Sequence, residues 1–212
     1  MVRVRILGVN GSPRKSSTYR ALELALAAAR ELDGVETVLI SLHGKGVGPC
    51  NHCDWCKRNQ KLCRLEDDME QFYPKIMDAH AILVASPVYA MNVTPQMQAF
   101  ISRWRPIHHV RRGVLRDKLA AGITVGGTRH GGQEIAMSAL AHGMMARGLI
   151  FIGNEPGNYS GAMVWSHDKG AAGTEEDTVG TDSLRKLGQR LARLALQMEA
   201  GRQALAGEHP VQ

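Results

Sequence analysis

The sequence predicts an α/β protein with a three-layer, doubly wound, five-stranded parallel sheet. Three observations predict it. Strand-length runs of aliphatic and β-branched residues alternate with Ala- and Leu-rich helical stretches. One run, Ala81–Ala85, is apolar throughout, as a central strand buried on both faces requires. Gly-, Ser- and Pro-rich segments follow the strands and punctuate them. At 212 residues the chain can bury a normal core without disulfide staples, and no repeat or linker divides it. One domain is expected over 1–205, followed by a tail at 206–212 that frays.

Taken in order, Val2–Val9 reads as a strand, stopped by Asn10–Pro13. Ser17–Leu32 carries a helical pattern closed by Gly34, and Val35–Ser41 is the second strand. "HGKGVGP" then leads into a compact cysteine loop at 48–65. "EDDMEQFYPKIMDA" opens with acids suited to a helix N-terminus, and Pro74 is placed to break or kink that helix. After the Ala81–Ala85 strand, Pro95–Arg103 reads as a helix with proline in its first turn. Ala120–Gly127 is the fourth strand, Gly131–Gly148 a helix, and Leu149–Glu155 the fifth strand. A polar, Gly-rich loop, Pro156–Gly180, precedes the last helix, Asp182 to about Ala200.

No apolar run reaches the roughly 18–20 residues of a membrane span. The opening alternates Arg with aliphatic residues and lacks signal-peptide architecture, so a cytoplasmic location with reduced thiols is expected. The net charge of +6 is mildly basic, but the basic residues are scattered. Their densest stretch, Arg103–Arg116, is interrupted by Pro106, His108 and His109. With 5% aromatics there is no base-stacking platform, so the charge reads as solvated surface and anion sites rather than nucleic-acid binding.

Ligands of doubly wound sheets bind beyond the carboxyl ends of the strands. Four unusual segments are predicted there, together making one site. In "NGSPRKSST", Ser12, Ser16, Ser17 and Thr18 offer hydroxyls just before a helix, and Arg14 or Lys15 offers a counter-charge, as a phosphate needs. The spacing is neither a Walker A loop nor a dinucleotide fingerprint, and a Ser/Thr-capped turn is the plain alternative. A mononucleotide phosphate fits better than a dinucleotide, which points to FMN. In "SPVYAMN", Pro87, Val88, Tyr89, Ala90, Met91 and Asn92 combine main-chain polar groups with apolar surface, which suits a flat isoalloxazine, although Tyr89 could equally pack as core. In "GGTRHGG", Gly126, Gly127 and Gly131 allow close backbone approach around Thr128, Arg129 and His130. A positive group at the pyrimidine edge of a flavin would favour its anionic reduced form. No side chain is expected to be a catalytic acid or base, since the cofactors carry the redox chemistry.

"NGSPRKSST", "SPVYAMNVTPQMQAFISR" and "GGTRHGGQE" resemble the three FMN-contacting loops of the flavodoxin-like NAD(P)H-dependent FMN reductases. The cysteine run before "EDDM" further resembles the iron–sulfur flavoprotein subgroup, and the likeness spans about Val4 to Ile152. The fourth segment holds every cysteine: Cys50, Cys53, Cys56 and Cys63, as C-x2-C-x2-C-x6-C. That spacing suits a [4Fe–4S] cluster with one thiolate per iron, and the N–H groups of Asn51, His52, Asp54 and Trp55 could bond its sulfur. Zinc sites more often pair two distant C-x2-C hooks, and a thiol redox pair leaves two cysteines unexplained; both alternatives stay open, as do free thiols. None of His52, His108, His109, His130 and His142 shows H-E-x-x-H spacing, and only His130 is expected near a flavin.

The resemblance implies an electron-transfer protein coupling two-electron FMN chemistry to a one-electron cluster. Ferredoxin-like carriers or NAD(P)H would be donors, and quinone, oxygen or peroxide acceptors. It also implies a homodimer or homotetramer; the Pro156–Gly180 loop, with Tyr159 and Trp165, is open to three readings, an interface, a lid or a plain surface excursion. One alternative is an NAD(P)H-dependent FMN or quinone reductase without a functional cluster; another is a non-enzymatic, zinc-stabilised binding module.

Overall fold

The sheet of the computed structural model, which describes residues 2–208, runs in the order β2-β1-β3-β4-β5, all parallel. Its strands are β1 (Val4–Asn10), β2 (Val35–Ser41), β3 (Ala81–Pro87), β4 (Leu119–Gly126) and β5 (Ile150–Phe151). This is the flavodoxin-like order, with its switch point between β1 and β3. All eight residues of β4 are buried, as are the first six of β3, because helices cover both faces. One face packs Val4, Ile6, Leu83 and Ile123 against Leu22 and Leu26 of α1 (Ser17–Ala29) and Leu184, Leu187 and Leu191 of α8 (Thr178–Glu208). The other packs Leu7, Ile82 and Val84 against Phe100 of α4 (Pro95–Ser102) and Leu140 and Met144 of α6 (Gln133–Met145).

The fifth strand departs from expectation. β5 pairs only with Leu119 and Ala120; the chain then leaves the sheet, and β6 (Ala162–Trp165) pairs with Ile123–Gly126. Two strands thus share the position expected for Leu149–Glu155. Buried Asn154 holds the excursion in place: its Nδ2 donates to the Gly161 carbonyl at 3.2 Å and to the Ser183 carbonyl and Oγ at 2.9 Å. Gly161 lets the returning chain press on β4, since a Cβ there would lie 2.6 Å from the Gly122 carbonyl oxygen.

The segment expected as a loop at 156–180 therefore contains β6 and a further helix, α7 (Gly170–Glu176). The last helix begins at Thr178 rather than Asp182 and continues to Glu208, through the start of the tail expected to fray; 209–212 lie outside the described residues. The expected helix at "EDDM" is instead a 3-10 turn at Glu70–Phe72 followed by α3 (Tyr73–Asp78). Pro74 does not break α3: it lies in the first turn, where a missing N–H costs nothing. Two short helices, α2 (Trp55–Asn59) and α5 (Arg105–Val110), were not legible as patterns. Among the described residues no helix is long and apolar enough to cross a membrane.

Candidate functional site

β1 ends on Asn10, a fully buried polar side chain that organises the turn after it. Its Nδ2 donates to Ser41 Oγ at 2.8 Å, and its Oδ1 accepts from the Ser12 N–H at 3.3 Å. Gly11 is required because two neighbours close on it: its N–H donates to the Ala85 carbonyl, its own carbonyl accepts from Thr94 Oγ1 at 2.6 Å, and a Cβ would meet Met97 Cε at 2.6 Å. Ser12 is buried and accepts from the Arg14 N–H at 3.1 Å. The chain then enters α1, whose cap residue Ser16 makes no side-chain cap bond, so first-turn N–H groups are left for an outside acceptor. Beside them stand half-buried Ser16 and Ser17, buried Thr18, and exposed Arg14 and Lys15. Lys15 Nζ sits 5.6 Å from the Tyr19 ring. Chemically this is a cradle for a phosphate-sized anion.

At the end of β3, Tyr89 and Asn92 exchange two backbone hydrogen bonds of 2.8 and 2.9 Å. Between them Ala90 and Met91 are both left-handed, with φ of 47° and 61°. Such two-residue reversals ordinarily use Gly or Asn, and other residues cost about 1–3 kcal/mol each, a strain usually found at functional sites. The reversal holds Tyr89, Ala90, Met91 and Asn92 out in solvent, so Tyr89 is a rim group rather than core. Pro87 and Val88 remain half-buried, with the Val88 N–H donating to the Val125 carbonyl.

After β4, buried Gln133 stitches the glycine loop. It donates to the Thr128 carbonyl at 2.7 Å and accepts from the Gly131 N–H at 2.8 Å. Thr128, Arg129 and His130 stay exposed at the crest, with Gly126 buried and Gly127 and Gly131 half-buried. Gly132, at φ 97°, brings this loop against the previous one: a Cβ there would lie 2.9 Å from Met91 Cα. The Thr94–Gly11 bond ties in the first loop, so the three predicted flavin loops do come together.

A fourth loop, between β6 and α7 within the 156–180 segment, joins them, although its residues were not among the predicted site residues. Trp165 donates from Nε1 to the Gly127 carbonyl at 2.8 Å, stacks on His167 at 3.4 Å, and has the Arg129 guanidinium 4.6 Å above its ring. A Cβ on Gly127 would meet Asp168 Oδ1 at 2.1 Å, and one on Gly170 would lie 3.1 Å from Ser16 Oγ. This turn therefore borders both the phosphate cradle and the glycine loop. Its signal was "HDKG", turn chemistry following the apolar alternation Ala162–Trp165.

The cysteines lie elsewhere. Cys50, Cys53, Cys56 and Cys63 are free thiols lining one small pocket, with Arg64, Arg103 and Arg105 also in its wall. His52, Asp54 and Gln60 adopt φ of 55°, 57° and 52°, bending the loop sharply where no glycine is present. A clamp closes its two ends. Arg103, 1% exposed, donates to the Gly48 carbonyl at 2.9 Å and to both Asp67 oxygens at 2.6 and 3.1 Å. Asp67 accepts in turn from the N–H groups of Gly48 and Met69. The Cys50 N–H donates to Ser102 Oγ, Arg58 bonds the Cys53 carbonyl, and Arg105 pairs with Asp54. Burial pushes the Cys56 thiol up, with Cys63 and Cys50 adding to it and Arg105 opposing. Arg103 Nε and Arg105 Nη1 are buried without a partner among the described residues. Four soft sulfur donors beside unpaired guanidinium N–H groups fit an anionic iron–sulfur centre. Among the described residues, no group of three or more Cys, His, Asp or Glu side chains is arranged to hold a metal ion.

The expectation of one site at one sheet edge is therefore corrected. Thr94, at the N-cap of α4, touches the phosphate loop; Ser102 and Arg103, at the other end, hold the cysteines. An eight-residue helix is about 12 Å long, so the two anchoring points on α4 stand about that far apart. The basic stretch at Arg103–Arg116 is likewise not all solvated surface, because Arg103 is a core residue.

Residues 4–157 match the model of the NADPH-dependent FMN reductase family. The chain belongs to that family. It is a flavin-dependent oxidoreductase. An iron–sulfur flavoprotein of Archaeoglobus fulgidus is 38% identical over 195 residues, covering 92% of this chain and 98% of that protein. A second, from Methanocaldococcus jannaschii, is 36% identical over 184 residues, covering 86% and 92%. The crystal structure of a flavodoxin, WrbA-like protein from Agrobacterium tumefaciens superposes with a TM-score of 0.66 at 18% identity, over 92% of this chain and 98% of that one, which shows the shared fold.

Proposed function

We propose that this FMN reductase-family protein is an iron–sulfur flavoprotein, holding FMN at the three loops and a [4Fe–4S] cluster on Cys50, Cys53, Cys56 and Cys63. When bound, FMN supplies two-electron chemistry and the cluster one-electron transfer, so the pair converts one mode into the other. The observation that carries the reading is the single pocket lined by all four thiols and bordered by Arg103 and Arg105. In this assignment Ser12, Ser16, Ser17, Thr18 and the uncapped N–H groups of α1 take the phosphate, with Arg14 and Lys15 as counter-charge. Pro87–Asn92 support one side of the isoalloxazine ring. Gly126–Gly131 approach its polar edge, where Arg129 is held by Trp165 and His130 stands at the crest. Residues 1–205 act as one FMN-binding domain carrying the cysteine loop. The family name supports NADPH as a donor; a ferredoxin-like carrier would serve the cluster, with quinone, oxygen or peroxide as acceptors. Exposed Tyr89, Met91 and Tyr159 offer apolar surface for a homo-oligomer.

Anaerobic purification is expected to give yellow-brown protein with one FMN and about four irons per chain. Colourless protein sinks the reading. Flavin without iron, reduced rapidly by NADPH alone, would establish the cluster-free reductase instead. Ser12→Ala combined with Thr18→Ala is expected to weaken FMN binding about tenfold or more, the usual cost of hydrogen bonds to a charged group. Fluorescence titration checks this, and unchanged affinity would remove both hydroxyls from the phosphate site.

A further inference from the structure

A second cavity, of about 470 Å³, opens between α5, the 111–116 turn and the end of α6. It shares no residue with the flavin loops. Its wall contains His108, Arg111, Arg112, Arg116 and Arg147, backed by Trp104, and no carboxylate; Asp117, next in sequence, lies outside the lining. The architecture is specific. The turn is pinned by Val114 N–H to Arg111 O at 3.1 Å and Arg116 N–H to Gly113 O at 2.9 Å, and Asp117 N–H ties it to the Gly148 carbonyl at the end of α6. Arg147 is anchored by Nη2 to the Ile101 carbonyl at 3.2 Å, while its Nε has no partner. Trp104, 1% exposed, also has a buried Nε1 without an acceptor.

One feature calls for a ligand. Four guanidinium groups around one cavity repel each other, with no acid in the wall to offset them. An anion would offset that charge. Guanidinium forks match oxyanions bidentately, and several of them around a small-ligand volume suit more than one negative charge. We propose that this cavity binds a small oxyanion of the phosphoryl class carrying at least two negative charges. The site is separate from the phosphate cradle of the flavin loops; Arg147 also lies within electrostatic range of Cys50, whereas Arg111, Arg112 and Arg116 carry the proposal away from the cysteine loop.

Calorimetric titration of the full chain, with its flavin bound, using inorganic pyrophosphate at physiological salt tests it. Saturable one-to-one binding is expected, weakened at least tenfold by Arg111→Gln with Arg112→Gln and by Arg147→Gln. The first pair is on the exposed turn, so it keeps the test decisive if the Arg147 variant fails to fold. Arg111→Lys with Arg112→Lys keeps the charge but removes the fork, and a clear loss is expected there too. Lys57→Gln with Lys61→Gln removes the same charge from the cysteine loop and should leave binding unchanged. No saturable binding, or equal weakening by the Lys57/Lys61 pair, would overturn the proposal. So would tight binding of an oligonucleotide with pyrophosphate inert, which would make the face an extended polyanion surface.

Discussion

Replacing Arg103 by Leu is expected to destabilise the protein by about 3–5 kcal/mol and to strip iron from whatever remains folded. Asp67 would be left as a largely buried carboxylate with its main cation gone, and the Gly48 carbonyl would lose its donor. Removing one partner of a buried pair is costly because the other charge stays desolvated; replacing both partners with apolar groups need not be. The double variant Arg103→Met with Asp67→Leu therefore separates two roles. It should recover much of the stability in urea yet still bind little iron, because the ends of the cysteine loop would no longer be fastened together. Full iron in that double variant would show that the clamp only stabilises the fold. The pair also predicts an acid limb. Burial pushes Asp67 up, but Arg103 and the N–H groups of Gly48 and Met69 outweigh it and hold the carboxyl below its usual range. A carboxylate with a depressed folded value stabilises above its unfolded pKa, about 3.9, and loses that contribution as pH falls through the folded value. Urea midpoints at pH 7 and pH 3 should thus fall more in the parent protein than in Arg103→Leu.

What the sequence made legible was mostly local. β2 and the apolar run of β3 follow from residue type within a few positions, and α4 from a proline in its first turn after Thr94. The three loops that come together were readable as a group because Gly, Ser and Thr just past a strand mark the edge where such sheets bind ligands. The split fifth strand was not, because β6 has four residues and gains its identity only from pairing with Ile123–Gly126, some forty positions earlier. Buried polar organisers were hidden for the same reason. Nothing near Asn10, Gln133 or Arg103 says that each will be buried, since their partners, Ser41, the Thr128 loop and Asp67, are set by the fold. Cysteine spacing pointed to a chemistry but not to the place. The clamp at the far end of α4 decides that, and it joins residues thirty-six apart.

Cys53→Ala is expected to reduce bound iron from about four per chain to near zero while leaving the flavin in place. The reason lies in what fastens the loop. Its ties are the Arg103–Asp67 clamp, the Cys50 N–H on Ser102, Arg58 on the Cys53 carbonyl and Arg105 on Asp54; none uses the Cys53 sulfur. Cys53 is only half-buried, so truncation opens little cavity. Cys56 makes the contrast: at 7% exposure it also packs, so Cys56→Ala should lose iron and some stability together. Iron analysis, flavin absorbance and thermal unfolding of both variants distinguish ligand loss from loop damage. In Cys53→Ala, reduction of the flavin by NADPH should persist, whereas exchange with a one-electron carrier should collapse by orders of magnitude. Full iron in Cys53→Ala would remove that thiol from the ligand set. Flavin lost along with iron would mean that the two sites depend on each other, contrary to their placement at opposite ends of α4.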